Sequence, residues 1–443
     1  MTQSNNSTGK NAIRYPKSKA FLIYLFGYAA VYSLNDFLFQ MFKDLLKSNE
    51  YEALKLQLLM IFKMVGAIFL TGYVEKKNNH KSVLSLCFLM YAISMIGFIG
   101  LKFLKLSRMA TFILSVPVSI LYFLSLGGIC PLMDSLNMLM LKNTGNMKLY
   151  PYIRVGSTVG HAISYMPVFL TSKNQISSSV KMSIACAFGV TSAVFVMVMA
   201  PKNLSKNSEK GVAKKTSLQD LFKVFFSVVG VLCTLVLTQG FMRACINTHQ
   251  RDYYKSFGLL EKDGNTIRIA RLIGEFVLFT LIGIKSYTKV LDPLFGFLIA
   301  AIFDCGRLIC LLMIKENQSL KTKSIISYLA EFCKSIFSGF YGYSSTTMSI
   351  YLAPENMGTF ALGLTSAVYT GGSNCIYAIF GLLYFNGKTS TALEFNEYKN
   401  LMRIALYVGC LAFPLLLVIF FISKRKARAE KKIEINCKNE LST

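Results

Sequence analysis

Ser82-Val-Leu-Ser-Leu-Cys-Phe-Leu-Met-Tyr-Ala-Ile-Ser-Met-Ile-Gly-Phe-Ile-Gly-Leu101 runs for 20 residues without a charged side chain. At about 1.5 Å per residue a helix of that length covers roughly 30 Å, the thickness of a bilayer's hydrocarbon core. Comparable apolar stretches precede and follow it at 20–42, 56–74, 110–140, 155–171 and 180–200. After a polar interruption at 201–216 the pattern resumes at 221–245, 267–284, 290–314, 325–351, 359–385 and 401–422. Twelve spans need roughly 240 residues. That is just over half of the 443 present, in agreement with a hydrophobic fraction of 53%.

Charge content points the same way. Only 16% of residues are charged, against about 25% in a soluble domain, and the mean hydropathy is +0.47. The expected fold is all-α: a polytopic membrane protein with 12 transmembrane helices in two pseudo-symmetric six-helix bundles. Its expected parts are a disordered N-tail at 1–19, a bundle at 20–200, a basic linker at 201–217, a second bundle at 218–423 and a basic tail at 424–443. A soluble enzyme, a secreted domain and a single-anchor receptor are excluded. The first stretch is too long for a signal-peptide core.

The net charge of +26 is spread over short loops and both tails without forming one basic face, so nucleic acid is not an expected partner. Basic loops beside anionic lipid account for it. Of the eleven cysteines, ten sit in or beside apolar stretches and none forms a CxxC, so they read as small apolar residues and not as a redox or metal framework. Neither a metal nor a cofactor is expected. Lys and Arg concentrate in the N-tail (10, 14, 17, 19), the linker (202, 206, 210, 214, 215, 223) and the C-tail (424, 425, 426, 428, 431, 432, 438). The positive-inside rule places both termini in the cytoplasm, and the plasma membrane is the expected location.

An ionisable side chain in hydrocarbon costs several kcal/mol, so each one retained needs a partner, a water-filled cavity or a task. The first half keeps Asp36, Lys63, Asp134, Arg154 and His161, and the second Arg243, Arg268, Arg271, Glu275, Asp304, Arg307, Glu331 and Lys334. Arg271/Glu275, Asp304/Arg307 and Glu331/Lys334 are three or four apart, so the members of each pair share one helix face. Opposite charges on several successive spans indicate the lining of a polar cavity. Its carboxylates could load and release protons, while an Arg, which cannot lose its proton, suits substrate binding. Pro117, Pro131, Pro167, Pro293 and Pro414 interrupt or bound spans, and Gly127-Gly128, Gly371-Gly372 and Gly381 permit close helix contact.

Pro131-Leu-Met-Asp134-Ser-Leu, with Tyr152-Ile-Arg154-Val-Gly-Ser-Thr-Val-Gly160-His161-Ala, is the first of three stretches at which the chain resembles the major facilitator superfamily, in particular the branch containing lactose permease and the nucleoside:proton symporters. It is similar to that branch's fourth-span acid and fifth-span Arg before a Gly-rich helix. The second, Glu75-Lys-Lys-Asn-Asn-His-Lys81-Ser-Val-Leu84, resembles the loop between spans two and three, with Asn78 and Asn79 where that loop carries glycines and an arginine. The third, Ala353-Pro354-Glu355-Asn-Met-Gly358-Thr-Phe-Ala361-Leu-Gly363 continuing to Gly371-Gly372, is similar to the entry into span eleven. A weak internal echo of the loop appears at 283–291.

The resemblance implies a transporter working by alternating access. It implies an Asp134–Arg154 substrate-binding pair, coupling charges at Glu275, Arg307 and Glu331, and a gate at Glu75 and Lys76. Substrate contacts are expected from Asp134, Arg154, His161, Arg307 and Lys334, and proton coupling from Asp36, Glu275, Asp304 and Glu331. His161 stands where lactose permease has a sugar-stacking aromatic, which argues against a galactoside. A small polar solute, with a nucleoside or related metabolite favoured, is the expected cargo, driven by a proton gradient and carried by a monomer. Seven cations against five anions among these cavity candidates leave room for an anionic cargo such as a nucleotide. A sugar, or a sensor without flux, is the remaining alternative. A membrane enzyme is not expected, because no loop carries a catalytic constellation.

Overall fold

The computed structural model describes residues 17–35, 37–46, 50–104, 106–143, 149–170, 177–200, 228–259, 261–283, 292–353, 357–384, 395–422 and 424. Asp36, the linker 201–217, the loop echo at 284–291 and nearly all of both expected tails lie outside the described residues. The first half holds α1 (Lys17–Asn35), α2 (Leu38–Leu46), α3 (Glu50–Gln57) and, after a tight turn at Leu58–Met60, α4 (Ile61–Lys77). It continues with α5 (His80–Phe103), α6 (Arg108–Asn143), α7 (Tyr150–Leu170) and α8 (Ser178–Met199). The second half holds α9 (Val228–Ser256), α10 (Glu261–Gly283), α11 (Pro293–Met313) and α12 (Leu320–Leu352). Then come α13 (Gly358–Ser366), one turn of wider π-type helix (Ala367–Gly372), α14 (Ser373–Tyr384) and α15 (Phe395–Cys410). α1 begins inside the stretch expected to be tail.

The opening stretch lies within α5 and displays the governing physics. Leu84, Phe88, Tyr91, Met95 and Phe98 face inward and are buried, while Leu86, Leu89, Ile93 and Ile96 on the other face are 54%, 43%, 57% and 60% exposed. A helix apolar on both its packed and its open side is solvated by hydrocarbon. Among the described residues seven helices are long and apolar enough to cross a membrane, and the bent pair α1–α2, turning by 43°, makes an eighth where it is taken as one span. α10 and α12 fall short because their buried faces carry Arg268, Arg271, Glu275, Glu331 and Lys334. The π turn divides α13 from α14 into pieces individually too short. Hydropathy counts a helix's total polarity, whereas the bilayer tests only the face it touches.

Local signals fix the helix starts. Ser177 and Ser319 cap α8 and α12 by accepting from the amides of Val180 and Thr322, and Asp292 caps α11 ahead of Pro293. Asn78 closes α4 in the left-handed region at φ 54°. Asn tolerates that conformation better than other non-glycine residues, so the turn survives the loss of the glycine expected there.

In the first half α1 packs on α7 and α8, α5 on α6 and α8, and α4 on α6. In the second, α9 packs on α14 and α15, α11 on α12 and α15, and α10 on α12. Each pairing of the first half thus recurs six apolar stretches later. The halves meet where α13 lies on α4 and α6, and where α7 lies on α10. At the first seam Gly371 is obligatory: a Cβ there would come within 2.6 Å of the Met64 backbone nitrogen.

Candidate functional site

One end of the seam between the halves is closed by hydrogen bonds. The Glu75 carboxylate, at the foot of α4, accepts from the Phe360 amide in the first turn of α13 (2.8 Å), where unpaired N–H groups await an acceptor. Ser135 on α6 pairs with Thr359 (2.8 Å) and with His80 (3.1 Å). Arg154 Nη1 on α7 reaches across to Gly342 O and Thr346 Oγ1 of α12, both at 3.0 Å, and donates to Tyr150 Oη at 2.7 Å. Asp134 Oδ1 accepts from Tyr24 (2.6 Å) and Tyr150 (3.2 Å), with Arg154 at 3.7 Å from Oδ2. The expected Asp134–Arg154 pair therefore forms, but at the seam. Lys76 beside Glu75 is exposed.

The second half contains a buried charge network. Arg307 Nη2 on α11 donates to Glu331 Oε1 of α12 at 2.8 Å and to Gln250 Oε1 of α9 at 3.3 Å. Gln250 in turn donates to Glu331 Oε1 at 2.6 Å. Arg271 lies 3.6 Å from Glu275 and 3.8 Å from Glu331, and its Nη2 is 3.3 Å from Nε2 of His161. His161 is stacked on Tyr32 with centroids 3.6 Å apart, so this expected substrate contact forms part of the α7–α10 seam. Of the three same-face pairs read from the sequence, Arg271/Glu275 forms. Arg307 instead turns to Glu331 on the neighbouring helix, and Lys334 donates to Asn247 at 3.0 Å. Shared helix face was right; the closer partner stands on the adjacent helix. Asp304 is fully buried, and neither of its carboxylate oxygens accepts a hydrogen bond among the described residues.

Between the network and the seam lies a cavity of about 60 Å³ open to water centres, room for several waters at ~10–15 Å³ each. The first half supplies Asn35, Leu38, Phe39, Phe42, Gln57, Met60 and Lys63, and the second Arg243, Asn247, Thr248, Gln250, Arg268, Arg271, Lys334 and Asn374. Lys334 is the expected substrate residue that reaches it. On the far side from Glu75 the halves touch again, through Lys43–Asp252 (3.4 Å) and Gln57–Thr248 (3.3 Å). The π turn faces the cavity region too, where the Arg243 guanidinium lies over the Tyr369 ring at 4.5 Å.

The chain is similar to the solved structure of nucleoside transporter NupG, with a TM-score of 0.66 and 15% identity over 91% of this chain and 98% of that one. A point mutant of NupG gives 0.67 and 14%, covering 91% and 99%. The human organic anion transporter MFSD10 (TETRAN) gives 0.62 and 12%, covering 92% and 100%. The chain has the major facilitator superfamily fold. No protein-family model and no curated sequence matches it.

Within the superfamily fold, sequence reading overlooked the amide wall of the cavity. Asn247-Thr248-His249-Gln250 was placed beyond a span ending at Cys245, where polar residues need no explanation. α9 in fact continues to Ser256. Four consecutive polar residues directly after an apolar run that already contains Arg243 were the available signal.

Proposed function

We propose that the chain is a secondary transporter carrying a small polar solute, a nucleoside or related metabolite, across the membrane by alternating access. In this reading twelve membrane-crossing stretches form two pseudo-symmetric six-helix bundles, 20–200 and 218–423, that rock about the cavity. The observation that carries it is that cavity: polar, lined from both halves, and bounded on two sides by hydrogen bonds between the halves that can break in turn. The recurrence of helix pairings supports the two-bundle arrangement. The transporter neighbours support the class of function, and NupG the nucleoside-like cargo.

An inward proton gradient is the proposed driving force. Cargo and proton must each bind the two conformations with different free energy for coupling to arise. Asp304 fits the proton-carrying role best of the four expected carboxylates, because Glu275 and Glu331 are committed to arginines and Asp36 lies outside the described residues. Glu75 gates one end, and Asp134 with Arg154 latches it. The basic tails and linker support cytoplasmic termini, and a monomer in the plasma membrane completes the proposal.

The test is uptake of labelled nucleosides, nucleotides and sugars into proteoliposomes, with and without an inward proton gradient. Gradient-stimulated accumulation supports the proposal. No uptake and no counterflow across the panel would make the chain a transporter-like sensor.

A further inference from the structure

We infer that the cargo is an organic phosphate of the nucleotide type, bound by Lys63 of α4 and Arg243 of α9. The inference rests on the reading of the cavity as the cargo site and names the chemistry that site selects. Five cations, Lys63, Arg243, Arg268, Arg271 and Lys334, line the cavity, and no Asp or Glu does among the described residues. Lys63 is 6% exposed, lines the cavity, and makes no hydrogen bond or ion pair among the described residues. Arg243 rests on Tyr369, and its Nε has no partner among the described residues. The two cations line one cavity from opposite halves, where like charges oppose each other. Asp304 acts on Arg243 through space, but it serves Arg307 and Lys334 as well. Glu331 and Glu275 answer Arg307 and Arg271, so among the described residues three carboxylates face six cations: Lys63, Arg243, Arg268, Arg271, Arg307 and Lys334.

A buried cation without a counter-charge is costly, and two that face each other more so. A phosphomonoester brings ~1.5–2 negative charges and three acceptor oxygens at pH 7. It therefore answers two uncompensated cations, where a monocarboxylate answers one. Lys63 and Arg243 belong to opposite halves, so an anion between them turns repulsion across the seam into attraction. Loading the site then favours closure, which gives cargo the unequal affinity for two conformations that transport requires. Phe39 and the amides of Asn35, Asn247 and Asn374 line the same space. They offer a ring face and hydrogen-bonding edges for a base.

The experiment uses the full chain in proteoliposomes with AMP, ATP, adenosine and inorganic phosphate as labelled probes. Uptake of AMP or ATP is expected, with excess adenosine a poor competitor. Lys63→Gln and Arg243→Gln should each lower nucleotide uptake by at least about tenfold, the worth of one charge-assisted hydrogen bond, while Lys63→Arg retains it. Because each Gln variant removes repulsion, the unliganded melting temperature should rise; a merely structural cation would lower it. Adenosine uptake with AMP excluded overturns the inference and leaves the transporter reading standing. Movement of inorganic phosphate alone overturns the nucleotide assignment. Nucleotide uptake unaffected by both Gln variants overturns the assigned residues. Transport of no solute at all overturns the transporter reading itself.

Discussion

Arg154→Gln tests whether the Arg154 latch holds one end of the seam shut. Arg154 Nη1 has three acceptors in reach: Tyr150 Oη at 2.7 Å on its own helix, and Gly342 O and Thr346 Oγ1 at 3.0 Å across the seam. A terminal guanidinium nitrogen carries two hydrogens, so two of the three are served at a time and on average slightly more than one bond crosses. A bond from a charged donor is worth about 1.5–3 kcal/mol. The variant should therefore lose roughly 2 kcal/mol of closure, a shift of about 30-fold toward the state open at that end. Tyr150–Thr346, Ser135–Thr359 and Glu75–Phe360 remain, so opening is partial. Spin labels at exposed Lys76 and Tyr351, placed after replacement of the exposed Cys410, should report a new long-distance population. The substitution also strands Asp134, which the double variant Arg154→Gln/Asp134→Asn corrects. If the crossing bonds hold the latch, opening persists in the double variant. An unchanged distance distribution in the single variant, or full reclosure in the double, would refute the assignment.

Three further outcomes follow from the same geometry. Asp304→Asn should fold normally, since no donor among the described residues is aimed at its oxygens, and should remove the dependence of uptake on the proton gradient; undiminished gradient stimulation would shift the coupling role to another carboxylate. Glu331→Gln removes the carboxylate hydrogen-bonded to the fully buried Arg307, so it should destabilise the protein by about 3–5 kcal/mol in thermal melts, with most of the loss recovered in Arg307→Met/Glu331→Met. Gly371→Val places a side chain against the Met64 backbone, wedging α4 from the π turn, and should abolish uptake at equal protein level in the membrane; normal uptake would mean that this contact opens freely during transport.

How much of this was legible in the sequence depends on what each helix face touches. α5 was readable because its inward and outward faces are both apolar, so hydropathy and location agree. The buried charges were readable too, since an ionisable group within an apolar run is conspicuous, and Lys63, Arg243 and Asp304 all stand out in that way. Their partners were not. Helical spacing tells which residues share a face, and it placed Asp304 beside Arg307 correctly. It is silent on the adjacent helix, which offered Arg307 the Glu331 carboxylate at 2.8 Å. The loop after α4 shows the opposite case: Asn78 departs from the expected residue type yet keeps the left-handed turn, because the constraint is a backbone angle and not an identity.

The cavity wall was the least legible part, for a reason intrinsic to the proposed transport site. A wall that binds a polar solute must itself be polar, and in a hydropathy profile a polar run signals the end of a span. Asn247 to Gln250 were lost in this way from α9, and α10 and α12 look too polar to cross a membrane although their polar residues are buried. The residues nearest the proposed cargo are thus those that the bilayer criterion discards. Charge balance recovers them, because it depends on which groups face each other across the seam and not on how apolar the average residue is. Lys63 and Arg243, from different halves of a cavity with no acid among its described lining residues, are the result of that accounting. In the proposed reading they tie the identity of the cargo to the motion that carries it: the anion that satisfies both cations is the one that draws the two halves together.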